Sequence, residues 1–437
     1  MRRYNKRKLT EDFDSLFELH DRIGTELKED AHAQVSALLA RCQETAILAG
    51  NRLEEDGGSH QNAVRVLEEY CEALYLQSLD LSEYTMRSRL DACITQVREY
   101  VRQQVNETLE VVFLPYKASM WDSLESVWRA AKEDKNCAAY VVAIPYFDKN
   151  PDGTVSSMHY EGGEFPVDVP IVGWQEYDLA KRHPDIIFIH NPYDQANKMT
   201  SVHLDYYAKE LKKHTDQLVY IPYFVCVNDN IPAHLCVLPG SLYADKVIVQ
   251  SEKIREIYIR EFHKFEEESS CEGIFGIAEE KFLALGSPKY DKVMQATRES
   301  VFVPEDWKRK LYKTDGCRRK ILLYNTSLVQ LLQGNAQVLR KIRSVFEQMK
   351  NREDAVLLWR PHPLSETAYD AMRPQYAKEY RGIVEQYRNE DWGIYDDTPD
   401  LHRAIALSDA YYGDWSSLVE LYRITGKPVM IQNLQII

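Results

Sequence analysis

The sequence lacks most of the signatures that identify a chemical function directly. It has neither a Walker A phosphate loop nor a Gly-x-Gly-x-x-Gly motif, so ATP hydrolysis and nicotinamide chemistry have no support. Its eight cysteines form no Cys-x-x-Cys pair, which argues against a zinc site or a disulfide framework and favours a reducing cytosol. No paired carboxylates suggest a metal centre. We therefore expect a protein without a metal or another cofactor.

Charge and hydropathy exclude two further classes of protein. The formal net charge of −14 argues against a general nucleic-acid-binding protein, which needs a basic face. No run approaches the roughly 18 consecutive apolar residues that a membrane-spanning helix needs.

The chain begins with a basic cluster, Arg2, Arg3, Lys6, Arg7 and Lys8, that leads directly into acidic residues. No apolar segment follows the cluster, so the sequence predicts no secretory signal and a cytoplasmic location. The cluster has two interpretations. It is either a peripheral contact with anionic lipid at the inner face of the membrane or an ordinary disordered terminus.

What the first 105 residues do contain is helical periodicity. Apolar residues recur at spacings of three and four, as in the series from Phe13 to Leu27. The segment 56–59, Asp-Gly-Gly-Ser, interrupts the pattern and indicates a helical hairpin. Its narrow apolar stripes need a partner, either the rest of the chain or a second copy. Residues 1–105 are therefore predicted to be a docking or homo-oligomerisation arm.

From residue 110 onward, short apolar runs alternate with helical segments, which is typical of parallel, doubly wound sheets. The sequence predicts an α/β protein in which two Rossmann-like domains, 106–300 and 301–437, face a cleft. The predicted strands lie at 111–114, 140–144, 186–189, 218–221, 246–249 and 282–285, and then at 320–324, 355–359, 392–395 and 428–431.

The stretch 408–430 is the most informative part of the chain. It is predicted to form a strand, a tight turn and a helix that opens on Ser416 and Ser417. The first N–H groups of a helix have no internal partner, so phosphate is readily held there. Asp414 precedes the two hydroxyls, and Glu420, one turn later, is a candidate acceptor for ribose hydroxyls. Ser417 and Glu420 also fit a Ser-x-x-Glu capping box, which is the alternative interpretation.

A second element, Arg360-Pro361-His362-Pro363, follows the predicted strand 355–359. The flanking prolines restrict the backbone and fix the imidazole at a strand end. His362 is the first catalytic candidate, since an imidazole can donate a proton or hydrogen bond to a leaving phosphate. Arg360 can neutralise a diphosphate with two parallel hydrogen bonds. The alternative is a structural loop histidine beside an Arg360 that forms a salt bridge.

Five further candidates also follow predicted strands. Thr326 and Ser327 carry hydroxyls that either reach a phosphate or cap a helix. Gly286 and Ser287 belong to a turn that is expected to line the cleft between the domains. His190 ends the run 186–189 and is either a general base or a structural histidine.

These elements resemble the CDP-glycerol glycerophosphotransferase family, the polymerases and primases of wall teichoic acid. The segment 285–291 is similar to the family's Gly-x-Pro-x-x-Asp turn, and 360–363 is similar to its basic-x-His-Pro element. The segment 408–428 is similar to its pattern of Ser-Asp, Asp-Tyr-Ser-Ser and Lys-Pro. The likeness extends over residues 110–437 and implies a GT-B fold with the nucleotide held mainly by the second domain.

The resemblance also implies a reaction. A polyol phosphate, glycerol phosphate before others, would pass from a CDP-linked donor to a hydroxyl of a glycerol-phosphate or glycan acceptor, with release of CMP. His362 would contact the diphosphate, and Ser416 and Ser417 would bind phosphate oxygens, so that positioning and charge neutralisation supply most of the catalysis. Two alternatives stay open: a GT-B glycosyltransferase that uses a nucleotide sugar, and a non-catalytic nucleotide-binding scaffold.

Two features depart from the family pattern. The family carries a Trp-His-Gly-Thr element in its first domain, whose histidine is the expected base, but the corresponding segment 218–224 contains no histidine. We therefore consider His190 as its substitute. The sequence also ends at Ile437, six residues after the last predicted strand, which leaves no room for the long closing helix of GT-B domains. The expectation is a truncated or unusual second domain.

Overall fold

The first part of the chain forms four helices that pack around one apolar core. The computed structural model describes residues 1–150, 152–398 and 400–432. The last residues of the sequence, on which the expectation of a truncated second domain rests, lie outside the described residues. The helices are α1 (Arg3–Lys28), α2 (His32–Glu55), α3 (Gln61–Leu79) and α4 (Arg87–Gln104). The predicted break at 56–59 separates α2 from α3.

The core of this bundle explains the helical periodicity of the sequence. Phe13, Leu16 and Ile23 of α1 are fully buried among apolar side chains of the other helices. Successive helices contact each other, and α4 returns to contact α1, so each apolar stripe is covered. The predicted hairpin is thereby corrected to a four-helix bundle that supplies its own partners. Homo-oligomerisation through these helices stays a prediction.

Glu110 fixes the bundle to the first sheet, at the start of β1 (Leu109–Leu114). Its side chain is 1% exposed and accepts two hydrogen bonds of 2.7 Å from the guanidinium of Arg182. The guanidinium of Arg2 lies 2.7 Å from the same carboxylate, and the hydroxyl of Tyr177 donates to it. A buried carboxylate is stable only with such partners, so this cluster joins the two parts of the molecule.

The basic start of the chain belongs to the same junction. Arg7 forms two hydrogen bonds with Asp216 of the first α/β domain, at 2.5 and 3.0 Å, and Lys6 donates to the carbonyl of Val105 at 2.9 Å. Helix α1 begins at Arg3. The interpretation as a disordered terminus is therefore wrong, and contact with anionic lipid stays a prediction.

A seven-stranded sheet forms the centre of the first α/β domain, and all of its strand pairs are parallel. After β1, the strands of this domain are β2 (Cys137–Ala143), β3 (Tyr146–Lys149), β4 (Val155–His159), β5 (Ile171–Gly173), β6 (Ile186–Ile189), β7 (Thr200–Val202), β8 (Gln217–Tyr220), β9 (Lys246–Val249) and β10 (Phe282–Ala284). The large sheet has the order β10-β9-β8-β6-β1-β2-β5, and β4-β3-β7 form a small antiparallel sheet. All six predicted runs fall on strands of the large sheet.

Helices cover both faces of this sheet, which is why its strands are apolar at successive positions. Val112 and Leu114 of β1 belong to one core, whereas Val111 and Phe113 belong to another. The helices are α5 (Glu125–Glu133), α6 (Leu179–Arg182), α7 (Ala208–Leu211), α8 (Ala233–Cys236), α9 (Pro239–Tyr243), α10 (Glu252–Ser269) and α11 (Ala278–Lys281).

The second α/β domain has a five-stranded parallel sheet in the order β13-β12-β11-β14-β15, with strands β11 (Lys320–Thr326), β12 (Ala355–Pro361), β13 (Ile394–Tyr395), β14 (Ala410–Gly413) and β15 (Val429–Ile431). Its helices are α13 (Glu305–Leu311), α14 (Leu328–Gln333), α15 (Asn335–Lys350), α16 (Ser365–Met372), α17 (Pro374–Glu390), α18 (Leu401–Leu407) and α19 (Ser417–Arg423). Alternate residues of β11 enter separate cores on the two faces. The predicted fold class, two doubly wound domains of GT-B type after a helical region, is confirmed.

Helix α12 (Pro288–Gln295) connects the two domains. Its apolar side chains Tyr290 and Val293 pack in the core of the second domain. Its charged side chains face the first domain, where Lys292 lies 2.8 Å from Glu125 and Asp291 accepts a hydrogen bond of 2.7 Å from Ser126. One helix therefore holds both walls of the cleft. Within the described residues, no helix combines the length and the apolar character that crossing a bilayer requires.

The Glu110 cluster predicts a specific stability effect. Replacing Glu110 by Ala leaves the guanidinium groups of Arg2 and Arg182 without their carboxylate, which we expect to lower the free energy of unfolding by about 3 kcal/mol. Urea denaturation measures the change. Glu107→Ala is the matched control: this carboxylate is 49% exposed and lies 3.4 Å from Lys6, so its loss should cost less than about 1 kcal/mol. Equal effects of the two substitutions would contradict the assignment.

Candidate active site between the two sheets

A cavity of about 950 Å³ separates the two domains, large enough for a nucleotide-linked substrate. Its second-domain wall follows the carboxyl ends of β11, β12 and β14, where parallel sheets bind ligands. Its first-domain wall follows β1 and includes α12. Five residues singled out in the sequence line it together: Ser327, Arg360, His362, Ser416 and Ser417. His362 and Ser416 are 54 residues apart in sequence, yet both line this cavity.

The turn that carries Ser416 depends on Gly413. This residue has φ of +144°, and a Cβ atom on it would lie 2.2 Å from the carbonyl oxygen of Asn325 on β11. The two strands approach so closely that only glycine fits. The hydroxyl of Ser416 lies 3.1 Å from the side-chain oxygen of Asn325, so the same residue positions the candidate phosphate-binding hydroxyl.

Asp414 lies behind the cavity wall and not on it. Its side chain is fully buried, forms an ion pair with Lys341 of α15 and accepts a hydrogen bond of 2.8 Å from the backbone N–H of Ser327. Thr326 is buried as well, and its hydroxyl accepts a hydrogen bond of 3.2 Å from the indole of Trp359. Both predicted binding residues therefore hold the strand ends in place and lack contact with the cavity.

Three other predicted binding residues lie elsewhere. Gly286 and Ser287 line a small separate cavity beside the carboxyl ends of β8 and β9. The prediction that they line the cleft between the domains is therefore corrected. Glu420 accepts a hydrogen bond of 3.2 Å from the backbone N–H of Asn228 in the first domain. Its carboxylate contributes to the contact between the domains.

Arg360 lines the cavity, but its charge is already balanced. One terminal nitrogen pairs with the buried carboxylate of Asp396, and the other donates to the carbonyl of Thr398 at 2.8 Å. The side chain is 9% exposed. The salt-bridge alternative therefore describes Arg360 better than direct neutralisation of a diphosphate.

His362 keeps one ring nitrogen available. The backbone N–H of Leu364 donates to its Nδ1 at 3.2 Å. Burial lowers the pKa of His362, which favours the neutral ring. A neutral imidazole that accepts at Nδ1 carries its proton on Nε2. That N–H can donate to a phosphate oxygen in the cavity.

His190 lies outside the cavity and is completely buried. The backbone N–H of Tyr116 donates to its Nε2 at 3.2 Å, and the hydroxyl of Ser123 lies 3.0 Å from its Nδ1. Desolvation lowers the pKa of His190 to about 3. Both ring nitrogens are engaged by protein groups. The prediction that His190 replaces the family's first-domain base is therefore corrected, and His190 is a structural histidine.

Sequence reasoning missed a charged cluster on the cavity, formed by Asp122, Lys289 and His402. The ammonium of Lys289 lies 2.6 Å from each carboxylate oxygen of Asp122, and Nε2 of His402 lies 3.1 Å from one of them. Burial alone would raise the pKa of Asp122, but the charge of Lys289 and the hydrogen bond from His402 outweigh it and hold the pKa at about 2. Only Lys289 stood in a recognisable motif.

The family model of CDP-Glycerol:Poly(glycerophosphate) glycerophosphotransferase matches residues 243–435. The matched part of the chain is similar to that family. The match includes all three motifs from which the resemblance was drawn, at 285–291, 360–363 and 408–428, and the resemblance is confirmed. The helical bundle and most of the first α/β domain lie outside the matched residues. The match supports a transferase of the glycerophosphotransferase kind.

Solved structures with a related arrangement are distant in sequence. UDP-GlcNAc 2-epimerase from Methanocaldococcus jannaschii is 10% identical with a TM-score of 0.45, over 74% of this chain and 83% of that chain. The enzyme of the same name from Neisseria meningitidis, bound to UDP-GlcNAc, is 10% identical with a TM-score of 0.42, over 75% and 83%. The wall teichoic acid polymerase TagF is 13% identical with a TM-score of 0.39, over 86% and 79%. No curated protein matches the chain.

The environment of His190 predicts a pH dependence of stability. An unfolded chain binds a proton at an imidazole near pH 6.5, whereas the folded state keeps His190 neutral down to about pH 3. The contribution of His190 to the free energy of unfolding is therefore fully present above about pH 6.5 and is lost as the pH falls toward 3. Urea denaturation across this range should show the decline, and the His190 resonances in NMR should stay constant from pH 5 to 8. Titration of His190 within that window would contradict a structural role.

The close approach at Gly413 predicts a large effect of one methyl group. Gly413→Ala forces the new Cβ against the carbonyl of Asn325, which we expect to lower the free energy of unfolding by at least about 2 kcal/mol and to displace the Ser416 turn. Gly382→Ala in α17 is the matched control. No atom lies within 4 Å of its Cβ, so alanine should raise the free energy of unfolding by up to about 1 kcal/mol. Thermal or urea denaturation of both variants checks this.

Proposed function

We propose that the chain transfers a polyol phosphate, glycerol phosphate before others, from a CDP-linked donor to an acceptor hydroxyl in the synthesis of a cell-surface polymer. One observation carries the proposal. His362, Ser416 and Ser417, from two separate motifs within the matched family region, line the same cavity between the two sheets. The acceptor oxygen would attack the phosphorus that carries the glycerol, the bond to the CMP phosphate would break, and CMP would leave.

The second-domain wall offers hydrogen-bond donors for the diphosphate. The hydroxyls of Ser327 and Ser417 and the Nε2 proton of His362 lie on this wall. The hydroxyl of Ser416 lies there as well, and it reaches a phosphate by turning its proton away from Oδ1 of Asn325, to which it donates at 3.1 Å. Donors held in place before the reaction stabilise the charge that develops on phosphate oxygens at little reorganisation cost. This wall is therefore the proposed donor side.

The first-domain wall has a different character. Asp122, Glu125 and Glu161 bring carboxylates to the cavity. Asp122 pairs with Lys289 and Glu125 pairs with Lys292, whereas Glu161 accepts hydrogen bonds from the backbone N–H of Ala118 at 2.8 Å and from the hydroxyl of Tyr146 at 2.7 Å. Carboxylates accept hydrogen bonds from hydroxyls, so a polyol or glycan acceptor fits this wall. We propose it as the acceptor side.

The non-catalytic scaffold keeps one specific observation in its favour. His190 is sealed inside the first domain, and none of the first-domain residues that line the cavity is a histidine. A chain that holds a nucleotide without a base on the acceptor side would bind the donor and release no product. Turnover separates this alternative from the transferase.

Release of CMP tests the proposal directly. We expect the purified chain to bind CDP-glycerol in calorimetry and to release CMP from it when given glycerol-phosphate oligomers or oligosaccharides. CDP-ribitol and UDP-sugars are the comparison donors. Consumption of UDP-sugars alone would replace the proposal with a glycosyltransferase, and donor binding without any turnover would favour the scaffold.

Variants of the donor wall refine this test. His362→Ala should lower kcat at least about 100-fold because it removes a hydrogen bond to the charged phosphate. Ser416→Ala combined with Ser417→Ala should mainly weaken donor binding, about 10- to 100-fold. His234→Ala is the control, since this exposed histidine lies outside the cavity. Unchanged kinetics in both donor-wall variants would remove the site assignment.

A further inference from the structure

His402, which no motif identified, carries a ring nitrogen that has no partner within 1–150, 152–398 and 400–432, and it lies beside the proposed reaction site. It stands in the first turn of α18, on the second domain, and lines the cavity. Its Nε2 lies 3.1 Å from Asp122 of the first domain. The pair therefore crosses from one wall of the cleft to the other.

The chemistry of the pair determines where the proton of His402 lies. Asp122 is ionised, since Lys289 and His402 hold its pKa at about 2 against the effect of burial. An ionised carboxylate only accepts hydrogen bonds, so Nε2 of His402 must carry the donated proton. In the neutral ring, Nδ1 then presents a free lone pair. A carboxylate that fixes the tautomer of an imidazole in this way is the arrangement that prepares a histidine to act as a base.

The Nδ1 atom is buried and has no hydrogen-bond partner among the described residues. A buried acceptor without a partner costs free energy and calls for an explanation, such as a group that arrives with a ligand. In a cavity proposed to receive an acceptor hydroxyl, that hydroxyl is the missing donor. Solvent does not reach Nδ1 in this arrangement, so the hydroxyl must enter as the walls shift during substrate binding.

We propose that His402 is the general base of the transfer reaction and that Asp122 is its positioning residue. This inference rests on the proposed function. Nδ1 takes the proton of the acceptor hydroxyl while the oxygen forms its bond to the phosphorus that carries the glycerol. The bond from that phosphorus to the bridging oxygen breaks, and its electron pair leaves with CMP. The protonated imidazole afterwards returns its proton to water.

The two imidazoles on the cavity then have different tasks. His362 accepts at Nδ1 from the backbone of Leu364 and is left with a proton to donate. His402 donates at Nε2 to Asp122 and is left with a lone pair. One ring suits the phosphate of the donor and the other suits the hydroxyl of the acceptor. Because Asp122 and His402 come from different domains, the base is oriented only when the domains face each other.

The test compares His402→Gln, His402→Ala and the wild type for donor binding and for turnover. The probes are CDP-glycerol with a glycerol-phosphate oligomer and CDP-glycerol with a neutral oligosaccharide. We expect kcat to fall about 100- to 10,000-fold in both variants, while the calorimetric Kd for CDP-glycerol changes less than about threefold. Added imidazole should restore part of the turnover of His402→Ala. His234→Gln is the control, with unchanged turnover.

The outcomes separate this inference from the function on which it rests. Wild-type turnover that persists in His402→Gln overturns the role of His402 and leaves the transferase intact. A loss of turnover that imidazole does not restore, or that accompanies weakened donor binding, assigns His402 a structural role and also overturns the inference. A wild type that neither binds CDP-glycerol nor releases CMP overturns both. Asp122→Asn should lower kcat with little change in the Kd for CDP-glycerol, as expected of a positioning residue.

Discussion

The two faces of α12 determine the distance between the domains, and the rest of the site depends on that distance. Its apolar face belongs to the core of the second domain, whereas Lys289 and Lys292 form ion pairs with Asp122 and Glu125 of the first. Ion pairs with low exposure hold their geometry because either partner alone would be a poorly solvated charge. The helix thereby brings the carboxyl ends of two parallel sheets to one cavity, which neither sheet forms alone.

Within the cavity, the conspicuous charges mostly support the backbone, and the smaller polar groups remain available to a ligand. Asp414 is satisfied by Lys341, and Arg360 is satisfied by Asp396. Ser416, Ser417 and His362 line the open space. Buried charges require partners inside the protein, whereas leaving a hydroxyl or a neutral imidazole unpaired until a substrate binds costs less free energy. This division explains why the second-domain wall of the cavity has little free positive charge.

The histidines show how far residue type can mislead. His190 and His402 are of the same residue type, yet burial and two hydrogen bonds make His190 a structural group. His402 has one nitrogen engaged by a carboxylate from the opposite wall and one without a partner in the part of the chain that the structure describes. A contact across 280 positions, counted from 122 to 402, leaves no trace in local sequence. Only the folded chain indicates which imidazole can take a proton.

The sequence by itself determined the two parallel sheets, because buried strands must be apolar on both faces. It determined the turn at His362 as well, because the flanking prolines restrict the backbone locally. It also determined the helical character of the first 105 residues. The tertiary structure alone decided that these helices close into a bundle and that Gly286 and Ser287 line a separate small cavity. It likewise decided that Asp122 meets His402. Periodicity and turn chemistry act over a few residues, whereas packing and ion pairing join segments that are distant in sequence.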